Sequence, residues 1–193
     1  MEYEIPEIIE NVSEIAEVIP FIKEPVKLAK ACKNIRDRIF LKKIESLILG
    51  FNKMNDSKLD EYKLDFWDDK KLEKIGFTSI TILEKYENTQ KAELMGKLLY
   101  MLICKEISIE QYLRTCYIIL NTFYEDILLV NRIPTDEELK ESWETIDYIS
   151  LKNLLDNDIL EEVELGLYPG STSRSKFYFS KLSEFGEIIK NIL

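Results

Sequence analysis

The fold class is decided by residues 91–130, which read KAELMGKLLYMLICKEISIEQYLRTCYIILNTFYEDILLV. Apolar residues recur there every three or four positions, which is the period of a helix that buries one face. Two start signals divide the run. Asn88-Thr89 precedes the first helix, and Ser108-x-x-Gln111 is a capping box that opens the second. The stretch therefore predicts two consecutive amphipathic helices, the second of which extends to Leu128.

Upstream of these helices, two further segments differ sharply in charge. Residues 1–22 carry six Glu and no basic residue, and their Ile side chains recur at helical spacing. Pro20 and Pro25 interrupt the pattern, and a long helix from about Pro25 is predicted to end near Gly50. Residues 23–43, which include the first part of this helix, are basic. They contain eight cationic residues: Lys23, Lys27, Lys30, Lys33, Arg36, Arg38, Lys42 and Lys43.

Residues 55–90 are predicted to hold two separate helices. Asn55-Asp56-Ser57 is a turn and cap signal before a charged helix, and Gly76 is predicted to stop that helix. Thr78 or Ser79 then caps a short helix that reaches Tyr86.

The last quarter of the chain predicts a mixture of helix and strand. Residues 147–155 form a short helix, apolar residues alternate over 163–167 and again over 177–179, and residues 184–193 close with a helix. The fold class is thus mainly α: a helical bundle with a small C-terminal α+β element that contains one β-hairpin. We divide the chain into an acidic amphipathic helix over residues 1–22, a helical bundle over 23–133, and the C-terminal element over 134–193.

Two parts of the chain resemble known families. Residues 151–155, LKNLL, and 176–186, KFYFSKLSEFG, resemble the end of a winged helix: a short helix, a two-stranded wing, a polar residue, a nearby Gly and an apolar helix. Residues 91–130 resemble uncharacterised helical proteins of bacterial mobile-element and phage-defence loci, through Lys91-Ala92 and Ile107-Ser108. The second resemblance implies a role in host–phage conflict and supplies no catalytic residue.

Charge restricts the classes of partner. The chain has 36 acidic and 26 basic residues, a net charge of −10, so nucleic acid is repelled unless positive charge is segregated. The basic stretch 23–43 segregates it, and its Ile35 and Ile39 make it a cationic amphipathic helix. A winged helix that reads DNA needs cations on its recognition helix and wing. Here these elements offer only Lys152 and the candidate wing contacts Arg174 and Lys176, among many carboxylates.

The sequence offers no catalytic constellation. It contains no His, and its cysteines (Cys32, Cys104, Cys116) form no CxxC pair, which favours buried thiols in a reducing, cytoplasmic setting. No Gly-rich phosphate loop and no apolar run long enough for a membrane span occur. Acidic clusters such as Asp136 and Glu138 are typical of a helix N-terminus. We therefore expect no catalytic residue, no metal ligand and no cofactor.

These observations favour a non-enzymatic, cytosolic protein that binds a protein partner or itself, in a regulatory role. Two alternatives remain open. One is a winged-helix DNA-binding regulator that uses residues 23–43 with Arg174 and Lys176. The other is a peripheral membrane protein that uses the same basic helix. A third possibility for residues 23–43 is the ordinary solvated face of a bundle helix.

Overall fold

A computed structural model describes residues 35–54, 69–133, 148–167 and 176–193. The chain divides into two compact units after Cys116, at a point within one helix. The described residues form seven α-helices, one 3-10 helix and two strands: α1 Ile35–Met54, α2 Asp69–Lys85, α3 Thr89–Ile103, α4 Ile109–Asn121, α5 Tyr124–Leu129, the 3-10 helix Val130–Arg132, α6 Tyr148–Asp156, β1 Leu160–Leu167, β2 Lys176–Leu182 and α7 Glu184–Ile192. The predicted fold class, mainly helical with one small sheet near the C-terminus, is confirmed. In the described part of the chain, no helix has both the length and the apolar character that a membrane crossing requires.

Helices α1 and α3 cross with their backbones in close contact. Gly50 of α1 lies where a Cβ atom would be 1.9 Å from the carbonyl oxygen of Glu93, and Gly96 of α3 meets the carbonyl oxygen of Leu47 at the same distance. Phe51 and Tyr100 pack edge to face beside this crossing, with ring centroids 5.6 Å apart. The prediction that Gly50 ends the helix is wrong. Gly50 lies inside α1, which continues to Met54. Its lack of a side chain lets α1 and α3 approach closely, so it serves packing and does not end the helix.

Helix α2 is one continuous helix, whereas the sequence predicts two helices that are separated after Gly76. It runs from Asp69 to Lys85 and passes through Gly76, Thr78 and Ser79 without a break. Ser79 does not cap a helix; it is buried and forms a hydrogen bond of 3.0 Å with the Tyr112 hydroxyl. A tertiary partner for Ser79 thus replaces the local capping role that its residue type suggests.

The start signals around α3 and α4 are confirmed in detail. The Asn88 side chain accepts a hydrogen bond of 2.9 Å from the Lys91 backbone N–H. Ser108 and Gln111 each accept the other's backbone N–H, at 3.1 and 2.7 Å, which is the reciprocal pattern of a capping box. Lys91 is almost fully buried, and its amine forms an ion pair of 2.7 Å with Glu87.

The helix that follows is shorter than predicted. Helix α4 ends at Asn121 and a second helix, α5, begins at Tyr124, whereas the sequence predicts one helix that reaches Leu128. The Asn121 amide and the Thr122 hydroxyl donate to the carbonyl oxygens of Tyr117 and Ile118 in the last turn, at 3.0 and 2.9 Å. The Thr122 backbone N–H still donates to the Ile118 carbonyl oxygen at 3.1 Å, so these side chains add hydrogen bonds to the last turn of α4.

Helices α3 and α6 end in the same way. At both ends a residue other than glycine has a positive φ of 58°, Lys105 after α3 and Asp158 after α6. The Glu106 N–H then donates to Met101 and the Ile159 N–H to Leu154, each at 2.9 Å, as in a Schellman motif. These turns direct the chain from α3 towards α4 and from α6 into β1.

The C-terminal unit contains the predicted two-stranded antiparallel sheet. Leu160 lies opposite Leu182, and the register becomes irregular between Glu164 and Gly166. Across the sheet, Lys181 and Glu161 form an ion pair of 2.8 Å. The sheet leads directly into α7 through Ser183.

The start of α7 explains the polar residue and the glycine of the winged-helix pattern. The Ser183 side chain accepts the Gly186 N–H at 3.1 Å and donates its hydroxyl to the Asp158 carbonyl oxygen. The Ser183 N–H donates to the Ile159 carbonyl oxygen at 3.0 Å, and a Cβ atom at Gly186 would lie 2.2 Å from that oxygen. Ser183 therefore caps α7, and Gly186 leaves room for the Ile159 backbone between α6 and β1. The resemblance to a winged helix stays a prediction.

Candidate interaction surface

The predicted basic surface is divided between described and undescribed residues. Lys23, Lys27, Lys30 and Lys33 lie outside the described residues, as does Arg174. Arg36, Arg38, Lys42 and Lys43 lie in the N-terminal half of α1. An α-helix advances about 100° per residue, so these four side chains leave α1 in two different directions.

Arg36 and Lys43 point towards α2. The Arg36 guanidinium forms an ion pair of 2.9 Å with the Glu84 carboxylate, and the Lys43 amine donates a hydrogen bond of 2.6 Å to the Glu84 carbonyl oxygen. Glu84 lies in the last turn of α2, where carbonyl oxygens lack helical partners and the helix dipole attracts cations. Lys43 is 6% exposed, and this burial lowers the pKa of its amine, an effect that Glu84 and Glu87 partly offset. Lys43 is therefore withdrawn from solvent, whereas the side chain of Arg36 stays 84% exposed in its ion pair.

Arg38 and Lys42 point away from the core and lie among exposed apolar side chains. Both are exposed, and beside them Ile39 is 52% exposed and Leu49 is 49% exposed. At about 100° per residue, Arg38, Lys42 and Leu49 lie on the side of α1 opposite the buried Leu47, and Ile39 lies at the edge of that side. We call these four residues the α1 outer face. It combines two positive charges with apolar area.

One carboxylate lies close to the α1 outer face. Glu45 is half-buried, and desolvation raises the pKa of its carboxyl group, while the Lys42 charge acts in the opposite direction. Lys53, in the last turn of α1, forms an ion pair of 2.8 Å with Glu93 of α3. The positive charge of the outer face thus lies at Arg38 and Lys42, in the N-terminal half of α1, and Glu45 interacts with Lys42.

The C-terminal element that would read DNA differs in charge from α1. Lys152 is exposed on α6, and Lys176 is the first residue of β2, opposite Leu167. The exposed residues at the end of α6 and after it are acidic: Asp156, Asp158, Glu161 and Glu162. Lys190 of α7 donates to the Ile133 carbonyl oxygen at 2.7 Å. Among the described side chains of the C-terminal unit, carboxylates therefore dominate the exposed charge, which disfavours a phosphate backbone.

The buried polar groups of the N-terminal unit form a closed cluster. Ser79, Tyr86, Tyr112 and Cys116 are all buried. The Tyr86 hydroxyl donates to the Cys116 carbonyl oxygen at 3.1 Å, and Tyr112 bonds to Ser79. Burial raises the pKa of the Cys116 thiol to about 12, and it raises the pKa of both tyrosines as well. Such groups are protonated at neutral pH and sealed from solvent, so the cluster serves packing.

Chemistry at other described residues is equally limited. Cys104 is buried, and neither it nor Cys116, the two cysteines within the described ranges, forms a disulfide. Across residues 35–54, 69–133, 148–167 and 176–193, no group of three or more acidic or sulfur side chains converges as a metal site would. The expectations about catalysis and cofactors stay predictions.

No family model matches the chain, and no curated protein or solved structure matches it either. The winged-helix and phage-defence resemblances therefore stay predictions. The candidate site is defined by the exposure and charge of α1 alone.

The sequence identified part of the α1 outer face. It pointed to Arg38, Ile39 and Lys42 as a cationic amphipathic pattern, and the structure places Arg38 and Lys42 on one side of the helix, with Ile39 at the edge of that side. It did not identify Leu49, although the signal was present. Leu49 follows Lys42 by seven residues, which is close to two helical turns and therefore returns to the same face.

Proposed function

We propose that this chain is a non-enzymatic regulatory protein that binds an acidic protein partner through the α1 outer face. The observation that carries the proposal is the exposure of Leu49, at 49%, on the same side of α1 as Arg38 and Lys42, with Ile39, at 52%, at the edge of that side. On the opposite side of α1, Ile44 and Leu47 are buried. Ile39 and Leu49 are thus two separate apolar side chains on α1 that the described core does not bury.

The composition of the outer face suits an amphipathic protein segment. Complete burial of an Ile or Leu side chain contributes roughly 1.5–3 kcal/mol, and covering the exposed halves of Ile39 and Leu49 would contribute a fraction of that each. Arg38 and Lys42 would attract carboxylates during approach and fix the register of the partner. A partner with Glu or Asp flanking a short apolar stripe complements both properties.

Two contacts argue against the DNA-binding alternative on this surface. Lys43 is buried against the Glu84 carbonyl oxygen and Arg36 is paired with the Glu84 carboxylate, so the described part of the basic stretch offers Arg38, Lys42 and the exposed but paired Arg36 for phosphates. Each phosphate contact contributes a share of affinity and of salt dependence, and so few contacts support only weak binding. A peripheral membrane site would also need more apolar area than Ile39 and Leu49 provide.

The resemblance of residues 91–130 to proteins of phage-defence loci supports a place in bacterial host–phage conflict, as a defence accessory or as a phage antagonist. The buried thiols of Cys104 and Cys116 support work in a reducing cytoplasm. Both statements belong to the proposal.

The proposal is tested by quantitative affinity purification from the organism that carries the gene. The wild-type chain is compared with Arg38→Glu/Lys42→Glu and with Lys74→Glu/Lys152→Glu. The second variant changes the net charge equally, at exposed positions outside the α1 outer face. We expect a protein with an acidic amphipathic segment to be recovered by the wild type and the control variant and to be lost with the outer-face variant.

A purified partner identified in this way should bind the wild-type chain more weakly as salt rises, because the attraction of exposed charges is screened. Equal recovery by all three chains would contradict the proposal. So would recovery that depends on Lys152 rather than on Arg38 and Lys42.

A further inference from the structure

We propose that, when no partner is bound, two copies of this chain pair through the α1 outer face, with the two α1 helices antiparallel. The inference goes beyond the proposed function because a different observation carries it, namely the order of charges along the helix. Both occupants use the same face, so a second copy of the chain would compete with the protein partner for it.

The outer side of α1 carries a heptad-type repeat. Five residues share that side at intervals of four, three, four and three positions: Arg38, Lys42, Glu45, Leu49 and Asn52. At about 100° per residue, these positions stay within about 80° of one another around the helix. Such a repeat forms a straight seam, along which a second helix can pack lengthwise as in a coiled coil. The spacing therefore favours a helix as the occupant.

The order of charges on this seam complements itself in an antiparallel pair. When the two-fold axis passes midway between residues 42 and 45, Lys42 of one copy lies opposite Glu45 of the other, and the symmetry forms the same pair again. The four charged groups then alternate in sign, and opposite charges attract. A parallel pair would instead bring Lys42 against Lys42 and Arg38 against Arg38, where like charges repel.

The antiparallel arrangement also covers the exposed apolar side chains. Arg38 and Leu49 are equally distant from the two-fold axis, so Arg38 of one copy lies opposite Leu49 of the other. Ile39, which is half exposed, borders the same layer. The aliphatic part of an arginine can cover a leucine while the guanidinium group stays in water. Because the contact is a single helix pair, we expect a weak and reversible dimer.

The inference is tested by sedimentation velocity of the full chain, from low micromolar to several hundred micromolar protein. We expect the wild type to change from monomer to dimer as its concentration rises. Lys42→Glu and Glu45→Lys should each raise the dimer dissociation constant at least about tenfold, because each places four like charges together. The matched controls Lys74→Glu and Glu106→Lys change the net charge equally at other exposed positions and should leave the constant unchanged.

A mixture of the two weakened variants tests the charge pairs directly. The Lys42→Glu chain has a carboxylate at both positions, and the Glu45→Lys chain has an amine at both. The mixture should therefore form a heterodimer at a concentration where neither chain dimerises alone. The double variant Lys42→Glu/Glu45→Lys should recover self-association, because it exchanges the two charges. Failure of both would overturn the inference if the circular dichroism spectra of these chains match that of the wild type.

The orientation of the two helices is tested by cross-linking. Chains with Arg38→Cys and Leu49→Cys are mixed and treated with a short bis-maleimide, and the joined peptides are identified by mass spectrometry. Residue 38 of one copy should be joined to residue 49 of the other. A main product that joins residue 38 to residue 38 would overturn the antiparallel arrangement.

This inference and the proposed function fail separately. A wild type that stays monomeric at every concentration, or a dimer that survives both single charge reversals, would overturn the inference. If recovery of the partner still depends on Arg38 and Lys42 in that case, the proposed function stands. If the dimer behaves as expected but the wild type and the Arg38→Glu/Lys42→Glu variant recover the same proteins, the proposed function is wrong and the dimer stands.

Discussion

The carbonyl oxygen of Leu47 on α1 lies 1.9 Å from the position that a Cβ atom of Gly96 on α3 would occupy. The obstacle is backbone, which cannot rotate away as a flexible side chain would. The same relationship holds in reverse at Gly50, which faces the Glu93 carbonyl oxygen. The two glycines set the distance between α1 and α3, and thereby hold in place the helix that carries the outer face.

We expect Gly96→Ala to lower the free energy of unfolding by about 2 kcal/mol or more, because overpacking a tight helix contact costs roughly 1–3 kcal/mol. The higher helix propensity of Ala offsets this by less than about 1 kcal/mol. Urea denaturation followed by circular dichroism measures the difference. Gln90→Ala on the exposed side of α3 serves as the control and should change stability by less than about 0.5 kcal/mol.

Lys105→Gly should stabilise the protein by about 0.5–1 kcal/mol. Lys105 has a φ of 58°, and this conformation costs a residue with a Cβ atom roughly 1–2 kcal/mol, part of which glycine loses again through its larger unfolded-state entropy. Thermal unfolding provides the measurement. Lys105→Ala, which keeps a Cβ atom, should give no such gain; an equal gain with alanine would show that the positive φ is not the cause.

The pH dependence of stability should carry a contribution from Cys116. Folding raises the pKa of this thiol from 9.0 to about 12, so the folded state retains a proton that the unfolded state releases. Stability is therefore fully present below pH 9 and declines as the pH rises towards 12, by roughly 1.4 kcal/mol per unit within that window. The raised pKa values of Tyr86 and Tyr112 add to the decline above pH 10, and the lowered pKa of Lys43 opposes it.

Cys116→Ser isolates this contribution. The variant should be less stable at every pH, and its unfolding free energy should fall less steeply between pH 9 and pH 11 than that of the wild type. If the unfolding free energies of the two chains changed in parallel with pH, the prediction would be wrong, because folding would then not change the pKa of the Cys116 thiol.

Native Cys104 and Cys116 should resist alkylation. Both thiols are buried, and the raised pKa of Cys116 removes the reactive thiolate at neutral pH. Iodoacetamide treatment at pH 7.5 followed by peptide mass spectrometry should label these cysteines only after denaturant is added. Rapid labelling of either one in the folded protein would contradict the burial on which this prediction depends.

Local signals predicted the helix starts, whereas tertiary contacts decided the helix ends. The cap at Asn88 and the capping box of Ser108 and Gln111 act over three residues, so a sequence pattern suffices to locate them. Gly50 and Gly76 were interpreted as helix ends because glycine weakens an isolated helix. At Gly50 the reason for its presence is the Glu93 backbone, some forty positions away in the chain, which no local pattern reveals.

The candidate site shows the same limit. Sequence identified the cationic pattern of α1, but it could not separate Arg38 and Lys42 from Arg36 and Lys43. That separation depends on Glu84, whose carboxylate and carbonyl oxygen engage the second pair. The sequence shows which residues of a helix are charged. Which of them face the end of a neighbouring helix depends on how the helices pack.

The central claim is that the cations of α1 serve a protein partner and that the chain is not a DNA-binding regulator. The most direct test is a fluorescence anisotropy titration of random duplex DNA at about 150 mM salt. We predict a dissociation constant no tighter than the non-specific range, roughly 10⁻⁴–10⁻⁶ M. Nanomolar affinity that is lost with Arg38→Glu/Lys42→Glu, or with Lys30→Glu/Lys33→Glu, would contradict the account and favour the regulator.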